Sequence, residues 1–399
     1  MPLKDEEHKQ SKSKRISRRN FFKYANEIAL GLTIGGYLIP RKASSQALNP
    51  KPMDKVQRQN NFIPVIDVHA HCTPQANSKL EKRMRSLMMS LRVHTHQDRQ
   101  VVKVKGISCV MYPELMDIDL QMQGRIESGV TKSLISYSML LETMAGDLPM
   151  PDKKVIEGFN DAMAKMAAKY PDKLNFMAHI NPFQKGAVKE CERCFKNLGA
   201  KGISIGTSWQ GEFLDSPKAE PLWEFAQDQD QAIFIHPPFA PIGYQKMDIY
   251  KLEEMVGRAF DTTMTLARMI YSGVFDRYPR LKIVVPHMGG ALPNVIGRLD
   301  FGYRLGYQGL PQAQAAVCKR RPSDYLRTNL YVDTMGFSAE TLKHCIELFG
   351  IDRIVFGSDY GPVPISPKEH IELVKNLGLN REDEEKIFWR NANQLFKII

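Results

Sequence analysis

Val65-Ile66-Asp67-Val68-His69-Ala70-His71 is the stretch on which the reading of this chain turns. Apolar residues lead through an aspartate into a His-x-His pair, the pattern of a buried strand that ends in two imidazoles. On a strand, residues i and i+2 lie on one face, so His69 and His71 can aim at a single point. Neutral imidazole is a common ligand for a divalent metal, zinc above all. Such a pair alone is weak evidence, and the weight falls on what the other strands supply.

Working outward, a first strand is expected over 62–69, and similar short apolar runs recur at 132–137, 174–180, 202–205, 232–236, 282–285, 330–333 and 353–356. Helical stretches separate them: 78–93, 116–128, 155–170, 185–197, 222–229, 266–275 and 338–349, with 367–377 and 381–396 closing the chain. A long polar connection is expected after the sixth strand, and 94–115 reads as irregular, with a short extra strand pair near 101–111. Strands alternating with helices imply parallel pairing through helical crossovers. Eight such units over 62–399 predict a (β/α)8 TIM barrel with loop insertions. A doubly wound open sheet is the alternative, but no glycine-rich phosphate loop follows the first strand.

Barrel chemistry sits at the C-terminal strand ends. The fifth strand ends in Ile235-His236-Pro237, the sixth in Pro286-His287-Met288-Gly289-Gly290, and the eighth in Phe356-Gly357-Ser358-Asp359-Tyr360. Three strand ends bearing histidine, and a fourth bearing aspartate, converge on one mouth if the barrel is right. That convergence points to a metal site.

This set resembles the amidohydrolase superfamily, and within it the amidohydrolase-related branch that includes aminocarboxymuconate-semialdehyde decarboxylase and resorcylate-type decarboxylases. The resemblance covers residues 62–398 and also rests on Ser272-Gly273-Val274-Phe275-Asp276-Arg277-Tyr278-Pro279 and Tyr331-Val332-Asp333-Thr334. It implies that His69, His71, His236 and Asp359 are metal ligands and that His287 is a proton-transfer residue beside the metal. Asp359 would also hold the bound water and accept its proton. Three imidazoles and a carboxylate suit zinc, and a fifth position leaves room for water or substrate. Dinuclear members carry a lysine at the end of the fourth strand. Here that end reads Gly202-Ile203-Ser204-Ile205-Gly206-Thr207, so one divalent ion, Zn2+, is expected.

Weaker signals stay open. Arg298 lies eleven residues beyond His287 and is a candidate grip for a substrate carboxylate; a solvated helix face is the other reading. His94-Thr95-His96 reads as a surface loop or as a contribution to substrate binding. His179 is either a polar neighbour of the site or a satisfied core residue. Trp209, Phe239 and Tyr360 line an aromatic pocket or simply pack. Asp333 either orients a ligand or caps a turn. Cys191-x-x-Cys194 lies in an apparent helix with no second pair to complete a four-cysteine site.

Of the net charge of +11, residues 1–47 hold +6, from ten Lys/Arg and four Asp/Glu. No later basic run with interleaved aromatics follows, which argues against nucleic acid. Ser17-Arg18-Arg19-Asn20-Phe21-Phe22-Lys23 matches the twin-arginine export motif. An apolar run over 28–39 and Ser45-Gln46-Ala47 follow it. Residues 1–47 are therefore read as a twin-arginine signal peptide, 48–61 as a linker or N-terminal arm, and the destination as the periplasm or the exterior. The apolar run is too short to span a membrane. Six cysteines are too few for a disulfide scaffold.

The expected function is metal-dependent, non-oxidative decarboxylation of a small unsaturated or aromatic carboxylic acid. The alternative is hydrolysis of a lactone, amide or ester by metal-bound hydroxide. The expected partners are a small-molecule substrate, the twin-arginine export machinery and, from the resemblance, a second copy in a homodimer.

Overall fold

Eight short parallel strands form one sheet in chain order: β1 (Ile66–His71), β2 (Lys132–Ser136), β3 (Leu174–His179), β4 (Gly202–Gly206), β5 (Ala232–His236), β6 (Lys282–Val285), β7 (Leu330–Asp333) and β8 (Ile354–Val355). The last meets the first. Val68 N donates to Phe356 O at 3.0 Å and His71 N to Tyr360 O at 3.1 Å. The sheet thus closes into the expected (β/α)8 barrel, and β5, β6 and β7 have the predicted bounds. This computed structural model describes residues 62–73, 92–96, 99–104, 106–137, 142, 152–247, 249–306 and 315–399. The readings of 1–47, 48–61 and most of the helix at 78–93 fall outside the described residues.

Alternation along the strands sorts two cores. Ile66, Val68, Leu134, Met177, Ala232, Phe234, Val284, Tyr331 and Val355 fill the barrel interior. Ile135, Ala178, Ile203, Ile205, Ile233, Ile235 and Ile283 face the surrounding helices. The longer helices are α1 (Ile118–Ser128), α2 (Asp152–Ala167), α3 (Ala187–Arg193), α4 (Glu220–Asp228), α5 (Arg258–Tyr271), α6 (Leu292–Leu305), α7 (Ala339–Phe349) and α8 (Pro367–Lys375). A helical run then ends at Asn391–Phe396, and its Ala392, Leu395 and Phe396 join the interior cluster. They seal the N-terminal end of the barrel. Gly202 at the start of β4 makes the room, since a Cβ there would lie 2.8 Å from the Phe396 ring.

β1 carries a bulge. Asp67 pairs with Ser133 and Ala70 with Ile135, so three steps along β1 match two along β2. An extra residue reverses the alternation beyond it. Ile66 and Val68 point into the barrel below the bulge. Above it, Ala70 packs outward and the interior positions pass to His69 and His71.

Three expectations are corrected. Arg92 and Val93, read as a helix end, belong to a strand, Arg92–His96. It adds to the expected pair, Arg99–Val104 with Ile107–Met111, so the insertion is a three-stranded antiparallel sheet. His94 and His96 sit on its outer strand, not on a loop. β-Propensity depends on the pairing partner, which a local reading does not see. The helix expected from residue 266 begins at Arg258. Thr262 and Thr263, poor helix formers in isolation, donate their hydroxyls to the carbonyls of Arg258 and Ala259, four residues back, within the helix. The connection after β6 contains α6.

Candidate metal centre

At the C-terminal mouth, β1, β5, the β6 loop and the β8 loop bring five side chains together. His69 Nε2 lies 3.2 Å from His71 Nε2, and each lies 3.3 Å from Asp359 Oδ1. His69, His236, His287 and Asp359 each offer an atom within 4.8 Å of the others. Two ligands bonded to one ion at about 2.0–2.1 Å sit about 3.0–3.4 Å apart, so the His69, His71 and Asp359 spacings are those of atoms sharing an ion. His287 stands slightly aside: its Nε2 faces the other oxygen, Asp359 Oδ2, at 3.4 Å. It is also the most exposed of the five, at 18% of its side chain.

The outer nitrogens are already engaged. His69 Nδ1 donates to Asp333 Oδ2 at 2.5 Å, and His236 Nδ1 to its neighbour Pro237 O at 2.9 Å. His71 Nδ1 pairs with Ser136 Oγ at 2.9 Å. These bonds fix each ring and turn Nε2 inward, the usual arrangement around a metal. Asp333 therefore fixes the orientation of the His69 ring. It also accepts the backbone N–H of Met288 and Met335. Asp67 supports Asp359 from behind, accepting from Ser358 N and Oγ.

Electrostatics point the same way. Burial lowers His69, but the Asp359 and Asp333 carboxylates raise it further, to about 10. Burial pushes Asp359 up, yet His69 and His287 hold it well below the usual carboxylate range. Burial, reinforced by the charge of the neighbouring histidines, carries His71 down to about 3 and His236 well below its ordinary value. The cluster thus stabilises one positive charge at its centre while keeping two imidazoles neutral. His236 Nε2 and Asp359 Oδ1 are buried without a hydrogen-bond partner. Orphaned buried acceptors around a favoured positive charge are what a divalent cation satisfies.

The backbone is strained at two of the five clustered residues. His287 and Asp359 both have φ near 55°, left-handed for residues with a Cβ, and Met288 follows at 54°. Gly290 has φ 65°, and a Cβ on it would approach Ala259 O to 2.6 Å. Only glycine lets this loop pass so close to α5.

The remaining candidates divide. Arg298 is exposed on α6. Arg258, which sequence reading missed, is the arginine whose charge reaches His71. Its Nε is buried without a hydrogen bond, and its guanidinium lies 5.8 Å from the Phe239 ring centre. Trp209 packs 6.2 Å from His179, ring centre to ring centre. The Tyr360 hydroxyl turns towards Gly124 on α1. Cys191 and Cys194 are buried free thiols pushed upward by burial, an inert setting. Ser136 and Glu142 were also missed; each stands alone in its local sequence, with no periodic signal.

Residues 66–398 match the family model described as Amidohydrolase. The 2-amino-3-carboxymuconate-6-semialdehyde decarboxylase of Dictyostelium discoideum is 32% identical over 238 residues, covering 58% of this chain and 64% of that one, just under two thirds of its length. The gamma-resorcylate decarboxylase of Polaromonas sp. is 32% identical over 253 residues, covering 60% of this chain and 75% of that one. In fold, the chain is similar to 5-carboxyvanillate decarboxylase from Sphingomonas paucimobilis, with a TM-score of 0.70 at 23% identity, over 85% of this chain and all (100%) of that one. It is also similar to a dihydroxybenzoic acid decarboxylase from Polaromonas sp. JS666, solved with bound manganese and 2-nitroresorcinol, with a TM-score of 0.66 at 24% identity, over 84% and 98% of the two chains.

Proposed function

Since this chain belongs to the amidohydrolase family across residues 66–398, we propose that it is a metal-dependent, non-oxidative decarboxylase of a small unsaturated or aromatic carboxylic acid. The observation that carries the reading is the pairing of a buried three-histidine, one-aspartate cage with a more exposed histidine on the free oxygen of that aspartate. The decarboxylase relatives support it.

His69, His71, His236 and Asp359 would hold one divalent ion. Bound there, it supplies a Lewis acid for a substrate oxygen and lowers the pKa of coordinated water. Arg258 offers charge at the His71 side of the mouth for an anionic substrate, and Arg298 stays a candidate grip for its carboxylate. His287 Nε2 and Asp359 Oδ2, 3.4 Å apart, hold and pass a proton. Delivered to the carbon that bears the carboxylate, that proton takes up the electron pair of the breaking C–C bond, and neutral carbon dioxide leaves.

Hydrolysis of a lactone, amide or ester needs the same ligands, because Asp359 and His287 are equally placed to take a proton from water. Carbon dioxide release from a panel of hydroxybenzoates and muconate-like acids is the expected result. Turnover of lactones or esters without it would establish the hydrolase instead. Zinc is our choice from the imidazole-rich set, although manganese occupies two solved relatives. Elemental analysis of unchelated protein should return one equivalent per chain; two would refute the single site.

We also propose export by the twin-arginine route to the periplasm or beyond, supported by Arg18 and Arg19 in their motif. Lysine at both positions should leave the protein in the cytoplasm. Exposed Phe260 and Met264 on α5, with Phe301 and Leu305 on α6, support a homodimer. A monomeric mass by light scattering would exclude it.

A further inference from the structure

Beside the metal cage, on the β3–β4 side of the mouth, lies a second polar group that the chemistry above does not use. His179 is the last residue of β3. It follows Met177 of the interior cluster by two positions, so it points into the barrel. Glu142 lies over Gly206 at the end of β4. A Cβ on Gly206 would come within 2.6 Å of Glu142 Cγ. Gly206 is paired in register with His236, so Glu142 stands one strand from a cage histidine. Glu142 Oε1 and His179 Nε2 are 3.4 Å apart. Both residues are buried, at 2% and 0% exposure.

None of the four polar atoms of this pair, Glu142 Oε1 and Oε2 and His179 Nδ1 and Nε2, has a hydrogen-bond partner. Buried polar groups are nearly always satisfied, and a cluster of four that is not calls for a ligand or a bound water. The flanks are aromatic. Tyr137 packs 5.6 Å and Trp209 6.2 Å from the His179 ring centre, and Phe159 stacks on Tyr137 at 4.1 Å. A flat ring seated with its acid end at the cage would meet aromatic faces on this side.

Resting on the decarboxylase reading, we infer that Glu142 and His179 bind a neutral hydrogen-bonding substituent, a hydroxyl or amino group, on the part of the ring remote from the cage. Burial holds the Glu142 carboxyl up at about 8 and His179 down at about 3, so near neutral pH the pair is an uncharged acid beside an uncharged imidazole. It presents donors and acceptors without net charge. A hydroxyl can both give and accept there. A second carboxylate would be buried without a counter-charge, and a bare C–H would leave the pair unsatisfied.

The test compares each dihydroxybenzoate isomer with 2-hydroxybenzoate. It measures kcat/KM for carbon dioxide release and, separately, calorimetric binding of the corresponding dihydric phenols and phenol. The wild type should favour at least one dihydroxy isomer by about tenfold or more. Glu142→Leu and His179→Leu should bring that ratio close to one, with metal content retained. Glu142→Gln keeps a donor and an acceptor and should keep most of the preference. An unchanged ratio in both leucine variants overturns the inference. So does a wild type indifferent to the second hydroxyl, a result that needs no variant to fold. If no acid releases carbon dioxide, the decarboxylase reading fails. Phenol binding then judges the pair alone: discrimination lost in the leucine variants upholds it, and discrimination unchanged overturns it.

Discussion

Asp333 decides which nitrogen of His69 faces the cage, because its carboxylate takes the proton on Nδ1. Such outer partners typically set metal affinity by about 10- to 100-fold. Asp333→Asn should weaken the metal by that order in chelator competition, with the barrel still folded; unaltered affinity would remove Asp333 from the site. Glu142 sets a different balance. Burial raises its carboxyl from 4.5 to about 8, so between those values the folded chain keeps a proton that the unfolded chain releases. Stability is therefore lost as pH rises through that window, by an amount on the order of a few kcal/mol. Glu142→Gln removes the titration. In urea denaturation its stability relative to wild type should improve by that amount between pH 5 and pH 9, and parallel pH profiles would contradict the burial argument. At this scale the cage histidines and Asp359 were readable because each ends an apolar run. The partners were not. Asp333 lies 264 residues from His69, and Ser136 lies 65 from His71, separations that leave no local pattern.

The loop after β6 is the element that places His287. Four successive residues, His287 to Gly290, have positive φ, and the last grazes α5. Gly290→Ala puts a methyl group against Ala259 O and strains φ as well. We expect at least a tenfold fall in kcat/KM with little change in metal content, since His287 is displaced while the cage is not. A wild-type rate would show that the loop tolerates the shift. The elements themselves were largely legible, strands best, because their apolar runs are short and bounded. The start of α5 was hidden by hydroxyls that bond inside the helix, and the first strand of the insertion sheet, Arg92–His96, by its dependence on cross-strand pairing.

Across the whole molecule the barrel has one end for stability and one for chemistry. Phe396 plugs the first against Gly202, and the cage occupies the second. Phe396→Ala should cost about 3–5 kcal/mol, the usual range for a buried aromatic. It should lower the melting temperature more than it changes metal affinity; the reverse order would show the two ends to be coupled. Alternation and strand count made this architecture readable, but not the phase of β1. Plain two-residue alternation from Ile66 would put Ala70 inside and both histidines among the helices. The extra residue between Asp67 and Ala70 decides otherwise. Pairing β1 in plain alternation, with all its residues kept and no bulge, would still leave eight strands to close and an apolar interior to fill, so a stable barrel is compatible with an empty mouth. Closing the barrel and gathering the histidines at its mouth are therefore separable in this chain, and the one-residue register shift of β1 separates them.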